Sequence, residues 1–303
     1  MKLAALMAVM LLAGPVVAAD ASLEEKYQAL QDAVAKKDAP QVKKLALELF
    51  PLASAAIGEP APQDAEEKPA WTDRVEHAKG ISLYGEYALS ATALESPAAT
   101  LVELIATLEE QNPKSKYLDT AYGPYLVALH QTGASAKVIP TAEKGLANFP
   151  DNEDLLLVLT DNAVSHKQTD RALSLANRLI AACQKHPKPE NVPAAQWERK
   201  RNSSLGHAYY IAGVVYSQRN QYVNADKDLR AALPLIEGNQ AAMAESLFYL
   251  GMANYQLGKM TMSKQKILDA AKFSERCAAI NSGFADQARH NALAMKAEAD
   301  RMR

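Results

Sequence analysis

Two stretches near the C-terminal end of the chain repeat one spacing of large and small residues. In the first stretch Gly213 precedes Ala225 by 12 residues, and in the second Gly251 precedes Ser263 by 12 residues. The other matching positions are Tyr209, Ala212, Leu229 and Ala232 in the first stretch and Leu247, Leu250, Ile267 and Ala270 in the second. A tyrosine also follows each glycine, Tyr216 by 3 residues and Tyr255 by 4. An internal repeat of this length indicates a helix–turn–helix unit that stacks on copies of itself.

The composition favours helices for the whole chain of 303 residues. Hydrophobic residues make up 49% but aromatic residues only 6%, and much of the apolar content is Ala and Leu, which form helices best. Val, Ile and Thr never form the alternating runs that are typical of strands. The sequence therefore predicts an all-α fold, and its formal net charge of −2 gives no basic surface for nucleic acid.

The repeated pattern resembles that of the tetratricopeptide repeat (TPR) family. In that family the first helix carries a bulky residue, a large-plus-small pair and a tyrosine, and the second carries small, large and small residues. Gly258 falls where the family favours glycine in the turn, and weaker matches occupy residues 80–113, 122–150 and 153–181. The two best units lie 38 residues apart, against about 34 in the family, which an insertion of about one helical turn explains. The resemblance implies a right-handed α-α superhelix, a TPR-like solenoid of stacked hairpins with a C-terminal capping helix.

Proline-rich stretches and the repeats together predict the organisation of the chain. Pro51 is expected to kink or end the helix in which it lies. The predicted segments are a signal peptide (1–19), an N-terminal helical hairpin (20–57), a Pro-rich linker (58–70), divergent TPR-like repeats (71–185), a Pro-rich break (186–194), two clearer TPR units (195–282) and a capping helix (283–303).

The first 19 residues have the features of a secretory signal peptide. Lys2 is the only charged residue before Asp20, an apolar run covers residues 3–17, and Ala18 and Ala19 offer small residues for cleavage. The alternative is a retained membrane anchor, although the run is shorter than the about 20 residues that span a bilayer. The pattern predicts a periplasmic or secreted protein with no stable membrane insertion after cleavage.

Motifs for catalysis, cofactors and metals are not recognisable in the sequence, so no such residues are predicted. The six histidines are scattered singly. Cys183 and Cys277 belong to separate helical units and are expected to be small buried residues without a bridge. Asp151, Glu153 and Asp154 form an acidic cluster, which a charged turn between helices explains better than a catalytic site.

The TPR resemblance also implies a binding surface. In that family the first helix of each hairpin lines the concave side of the array and contacts the partner. Carried over position by position, the predicted partner-binding residues are His207, Tyr210, Val214, Gln218, Glu245, Phe248, Met252 and Gln256. The aromatic members would suit a helix or an extended peptide. Alternatively, these side chains pack against the longer connections or the C-terminal helix.

The resulting functional hypothesis is a non-catalytic scaffold that binds a protein or peptide of unknown identity. A setting in cell-envelope assembly rests on location and fold analogy alone. A second hypothesis is a structural subunit or spacer of an envelope complex, which would show a large apolar patch and a stable oligomer. A third is an enzyme or glycan-binding protein built on a helical array, which would need a pocket with convergent carboxylates.

Overall fold

The computed structural model describes residues 15–188 and 192–302, and the side chains from residue 21 onward within those ranges. Thirteen α-helices and two short 3-10 helices account for the regular structure of these residues, which contain no strand. The all-α prediction is confirmed. The chain folds as two compact units, Met1–Val138 and Ile139–Arg303.

The first unit contains five α-helices, each packed against the next. Alternate helices also touch, so that α1, α3 and α5 lie side by side. These helices are α1 (Pro15–Ala35), α2 (Ala39–Ile57), α3 (Lys68–Leu94), α4 (Ala98–Gln111) and α5 (Lys116–Gln131), followed by a 3-10 helix (Ser135–Lys137). Large side chains that are fully buried in this unit include Leu30, Leu49, Ile81, Leu89, Leu104, Leu118 and Tyr122.

The second unit has the same sequential arrangement, in which each helix from α7 onward packs against the next. Alternate contacts join α7 to α9, α9 to α11 and α11 to α13. The helices are α6 (Val138–Asn148), α7 (Glu153–Ser165), α8 (Thr169–Lys185), α9 (Ala194–Gln218), α10 (Tyr222–Ala232), α11 (Gln240–Met260), α12 (Lys264–Ala278) and α13 (Ala285–Arg301), with a 3-10 helix (Leu233–Leu235) after α10.

The repeated glycines lie where two helices of a hairpin meet, as their spacing predicts. A Cβ atom on Gly213 would lie 2.5 Å from Cγ of Leu229, and one on Gly251 would lie 2.6 Å from Oγ of Ser274. Hydrogen at these positions therefore lets α9 approach α10, and α11 approach α12, more closely than any side chain would. Gly258 differs from expectation, because it is buried inside α11 against α12 and not in the turn.

A recurring turn closes five of the helices. The sequence alone does not predict it. The second residue after α1, α5, α7, α9 and α11 adopts positive φ, and the N–H of the residue that follows it bonds to a carbonyl five residues earlier. This is the Schellman closure of a helix C-terminus. The positive-φ residues are Lys37, Gly133, Lys167, Asn220 and Met262. Because only one of them is glycine, glycine spacing does not reveal the turn.

Several predicted boundaries shift. Helix α1 already begins at Pro15, inside the predicted leader, and residues 1–14 of that leader lie outside the described residues. The linker ends at residue 67, because Pro69 sits in the first turn of α3, where a missing N–H costs nothing. Helix α2 continues past Pro51 to Ile57 and does not end there. Helix α8 ends at Lys185 and α9 begins at Ala194, so the last residue of the predicted break (186–194) lies in α9.

The C-terminal segment forms the expected helix. Helix α13 packs on α12 and also touches α11. It buries Ala288, Ala292 and Met295 while Arg289 and Lys296 face solvent. Nowhere in the described ranges is a helix both long enough and apolar enough to cross a bilayer.

Candidate functional site

Helices α7, α9, α11 and α13 form one face of the second unit, called here the first-helix face. Asp154 Oδ2 accepts from Lys200 Nζ at 2.7 Å, and Asp161 Oδ1 lies 2.5 Å from His207 Nε2. Both contacts join residues 46 positions apart. A constant offset means that α7 and α9 run in the same direction, as the first helices of stacked hairpins do.

Tyrosine–carboxylate hydrogen bonds continue this link across the face. The Tyr210 hydroxyl on α9 donates to Glu245 Oε2 on α11 at 2.5 Å. The Tyr255 hydroxyl on α11 donates to Glu298 Oε2 on α13, also at 2.5 Å. Each pair of neighbouring first helices is therefore tied by at least one polar contact in which a charged group takes part, and such bonds are stronger than neutral ones.

Burial and the carboxylate together hold the Tyr210 hydroxyl in its neutral form. Burial raises the pKa of Tyr210 above its ordinary value, and the hydrogen bond to Glu245 raises it further. The pKa of Tyr255 is also raised, but here the hydrogen bond to Glu298 raises it more than burial does. Both hydroxyls are therefore donors at neutral pH, and both carboxylates are acceptors.

A cavity of about 440 Å³ opens between the first three of these helices and the start of α8. Four of the eight predicted partner-binding residues line it: Tyr210, Val214, Gln218 and Glu245. The opposite wall comes from the end of α7 and the turn into α8, where Val164, Lys167 and Thr169 contribute. The lining thus combines apolar surface with a few polar groups at its edge, which is the usual make-up of a binding pocket.

The other four predicted residues lie elsewhere on the same face. His207 is paired with Asp161, and its ring centroid lies 6.4 Å from that of Tyr210. The Phe248 ring packs against Phe284, with centroids 4.9 Å apart, and Met252 Sδ accepts a hydrogen bond from Asn291 at 3.6 Å. The two apolar members therefore pack on the C-terminal helix and the residue that precedes it. Gln256 is half-buried on the same helix α11.

The wall contributed by α7 and α8 was not predicted. Residues 153–181 match the repeat pattern weakly, so positions around Val164 attract no attention in the sequence. No sequence signal marks this wall, because the 46% exposure of Val164 appears only in the structure and single exposed aliphatic side chains are common on protein surfaces.

Basic side chains on neighbouring segments contact the acidic cluster. Asp151 pairs with Lys185 at 2.6 Å, and this lysine lowers the pKa of Asp151 below its ordinary value. Glu153 is buried and lies 3.3 Å from the ring nitrogen of His186. Each carboxylate contacts a basic side chain of its own, so the three do not converge on a common point.

The two cysteines are buried free thiols in separate helices, α8 and α12. Burial raises the pKa of Cys183 to about 12 and that of Cys277 to about 11, so both remain protonated and unreactive at neutral pH. The prediction of two small core residues without a bridge is confirmed. In the residues that the structure covers, no group of three or more His, Cys, Asp or Glu could hold a metal ion.

Sequence comparison adds no relative from which a site could be transferred. The candidate site therefore rests on the geometry of this chain alone. No protein-family model matches the chain, and no curated protein matches it either.

Proposed function

We propose that this protein is a non-catalytic scaffold that binds a protein or peptide segment on its first-helix face. The observation that carries the proposal is the cavity of about 440 Å³ into which four side chains predicted to bind a partner converge. Pockets that hold small ligands or anchoring side chains measure about 300–1,000 Å³. This one has room for a single large apolar side chain of a partner.

The chemistry of the lining supports a peptide as the ligand. Val164 and Val214 supply apolar walls, while Lys167, Gln218 and Glu245 supply polar groups at the edge. A partner helix or extended segment would place one apolar side chain between the valines, and its backbone and polar groups would meet the edge. Desolvated central pockets of this kind carry most of the energy of protein–protein binding.

We further propose that the hairpins form a TPR-like superhelical solenoid. Three observations support it: alternate helices contact one another, α7 and α9 run in the same direction, and one turn geometry closes five helices. A periplasmic or secreted location, with cleavage of the leader near Ala18 or Ala19, remains part of the proposal and rests on the signal-peptide pattern.

The pocket is tested by selecting ligands and then blocking the pocket. A display library of 12-residue peptides is panned on the full chain, and the affinity of the selected peptides is measured by isothermal titration calorimetry. We expect Val164→Arg to weaken binding at least about tenfold, because it places a charge in the apolar wall. Its side chain already faces solvent, so the fold should tolerate the change.

Val223→Arg is the matched control, since Val223 is 70% exposed and lies outside the pocket. Binding should survive this substitution at full affinity. Equal affinity of wild type, Val164→Arg and Val223→Arg for every selected peptide would refute the proposed site. Failure of the library to yield any saturable ligand would count against the peptide-binding function as a whole.

A further inference from the structure

Four tyrosines form a continuous ladder across α1, α3 and α5 of the first unit. Tyr27 on α1 meets Tyr84 on α3 edge to face, with ring centroids 5.2 Å apart and an angle of 88°. Tyr84 lies 5.8 Å from Tyr87, and Tyr87 lies 5.8 Å from Tyr117 on α5. These distances fall in the range of favourable aromatic pairs. The rings of this tyrosine ladder therefore hold one another in place.

The hydroxyl groups of the tyrosine ladder are unused. None of the four makes a hydrogen bond with any residue that the structure describes, and none is a buried atom lacking a partner. By contrast, all six tyrosine hydroxyls of the second unit hydrogen-bond to another side chain. Four hydroxyl groups on one aromatic surface thus have no acceptor among the described residues, and each can donate to an incoming acceptor.

The tyrosine ladder borders an open groove of about 430 Å³. Its floor includes Gly80, where a Cβ atom would meet nothing within 4 Å. Leu83 and Tyr87 remain 40% and 44% exposed along its length. A second cavity, of about 580 Å³, also touches Tyr87 and has Pro40 and Pro97 in its wall. The surface therefore continues along α3 far enough for an extended segment and not only one side chain.

The ionisable side chains that line the first cavity already pair with other side chains at the protein surface. Glu76 accepts from Lys79 at 2.7 Å, and His77 lies 3.0 Å from Glu24. The groove consequently presents neutral aromatic faces and hydroxyl donors to a ligand.

The same holds for the second cavity. Lys37 pairs with Glu95 at 2.8 Å, and the Asp38 carboxylate accepts from the N–H of Gln41 as the cap of α2. Electrostatic complementarity therefore favours an occupant that carries no charge and offers acceptors. An ionic ligand would have to disrupt pairs that already exist.

We propose that the tyrosine ladder and its groove bind an uncharged proline-rich segment in the polyproline II conformation. Such a segment has no internal hydrogen bonds and exposes every backbone carbonyl, so it is an acceptor-rich ligand with flat apolar rings. Aromatic grooves take up these segments by packing rings against prolines. Tyrosine supplies both the ring and the donor. The site is independent of the pocket on the first-helix face of the second unit.

The probe is a blocked, fluorescein-labelled decaproline peptide, and the full chain is titrated into it while fluorescence anisotropy is recorded. We expect saturable binding, with the affinity lowered about tenfold in Tyr87→Ala by loss of one packed ring. Gly80→Leu should abolish binding, because its Cβ has room within 4 Å and the longer side chain would occupy space in the groove. A glycine–serine peptide of the same length should not bind.

Two controls keep the result interpretable. Val127→Ala changes a residue of α5 that is 57% exposed and outside the groove, and it should bind decaproline like wild type. Val164→Arg should also bind normally, which separates this groove from the pocket of the second unit. Circular dichroism establishes that each variant has the helix content of wild type.

Three outcomes would overturn the proposal. The first is no saturable binding of decaproline to wild type. The second is full affinity in both Tyr87→Ala and Gly80→Leu. The third is that wild type binds a neutral glycan probe, cellohexaose, and does not bind decaproline. If Tyr87→Ala and Gly80→Leu then both remove the binding of cellohexaose, the groove is a carbohydrate site.

Discussion

The tyrosine ladder of the first unit differs from Tyr210 and Tyr255 of the second unit in what the hydroxyl groups contact. In the second unit the hydroxyls of Tyr210 and Tyr255 donate to carboxylates on the next first helix. In the first unit Tyr84 and Tyr87 pack ring against ring, and their hydroxyls are not used by any described residue. The difference lies in the neighbouring helix, which offers Glu245 in one case and a further tyrosine in the other.

Gly213 on α9 and Gly80 on α3 differ in the same way. Gly213 faces Leu229 so closely that even a methyl group would overlap it, whereas a Cβ atom on Gly80 would meet nothing within 4 Å. Gly213 thus supports internal packing, and Gly80 leaves room for a ligand. Matched substitutions in the two units can test whether this division is real.

The largest effect is expected from leucine in place of glycine. Gly213→Leu should lower the free energy of unfolding by about 3 kcal/mol, because it overpacks the α9–α10 contact. Gly80→Leu should raise it by about 0.8 kcal/mol, since leucine favours helix more than glycine does and its Cβ would meet no atom within 4 Å. Urea unfolding read by Trp197 fluorescence reports the second unit and Trp71 the first, each in a variant that lacks the other tryptophan. Equal destabilisation at both sites would contradict the packing difference.

Removal of a single tyrosine hydroxyl should change the free energy of unfolding less than these glycine substitutions do. It should again cost more in the second unit than in the first. Tyr210→Phe should cost about 1 kcal/mol, because Glu245 loses a charge-assisted bond but can partly rehydrate. Tyr87→Phe should change the free energy of unfolding by less than about 0.5 kcal/mol, since its hydroxyl has no partner in the described chain. The same two tryptophan signals measure both. A cost at Tyr87 equal to that at Tyr210 would show that the hydroxyls of the tyrosine ladder are structurally engaged.

The smallest effect is expected in alkaline solution. The pKa of Tyr210 is raised by burial and by Glu245, so the folded chain holds this proton more tightly than the unfolded chain, in which tyrosine titrates near about 10. The Tyr210 hydroxyl makes its full contribution to the free energy of unfolding below about pH 10, and this contribution falls as the pH rises above that value. The free energy of unfolding, followed by Trp197 fluorescence, should therefore fall less steeply between about pH 9 and 11 in Tyr210→Phe than in wild type. Identical slopes in the two proteins would contradict the assignment.

Local sequence was sufficient for the helices and for the best hairpins. The spacing of Gly213 and Gly251 predicts a close helix contact, and the structure places both there. Proline content predicts the break before α9. Pro51 was expected to kink or end its helix, and it does not end it, because that helix continues to Ile57.

The candidate sites depend on contacts between residues that are distant in the chain. Half of the predicted partner-binding residues line one cavity, while Phe248 and Met252 pack towards the C-terminal helix, and nothing in the repeat pattern distinguishes the two groups. The tyrosine ladder joins residues of three helices between positions 27 and 117, a grouping that no local pattern shows.

The sequence by itself determined that the chain is helical, that it repeats, and that small residues must lie where helices cross, because propensity and spacing act over a few turns of one helix. Only the tertiary structure determined which side chains pack against other residues and which remain open to a ligand. That choice depends on the residue that a neighbouring helix brings within hydrogen-bonding distance, and helices distant in the chain supply it.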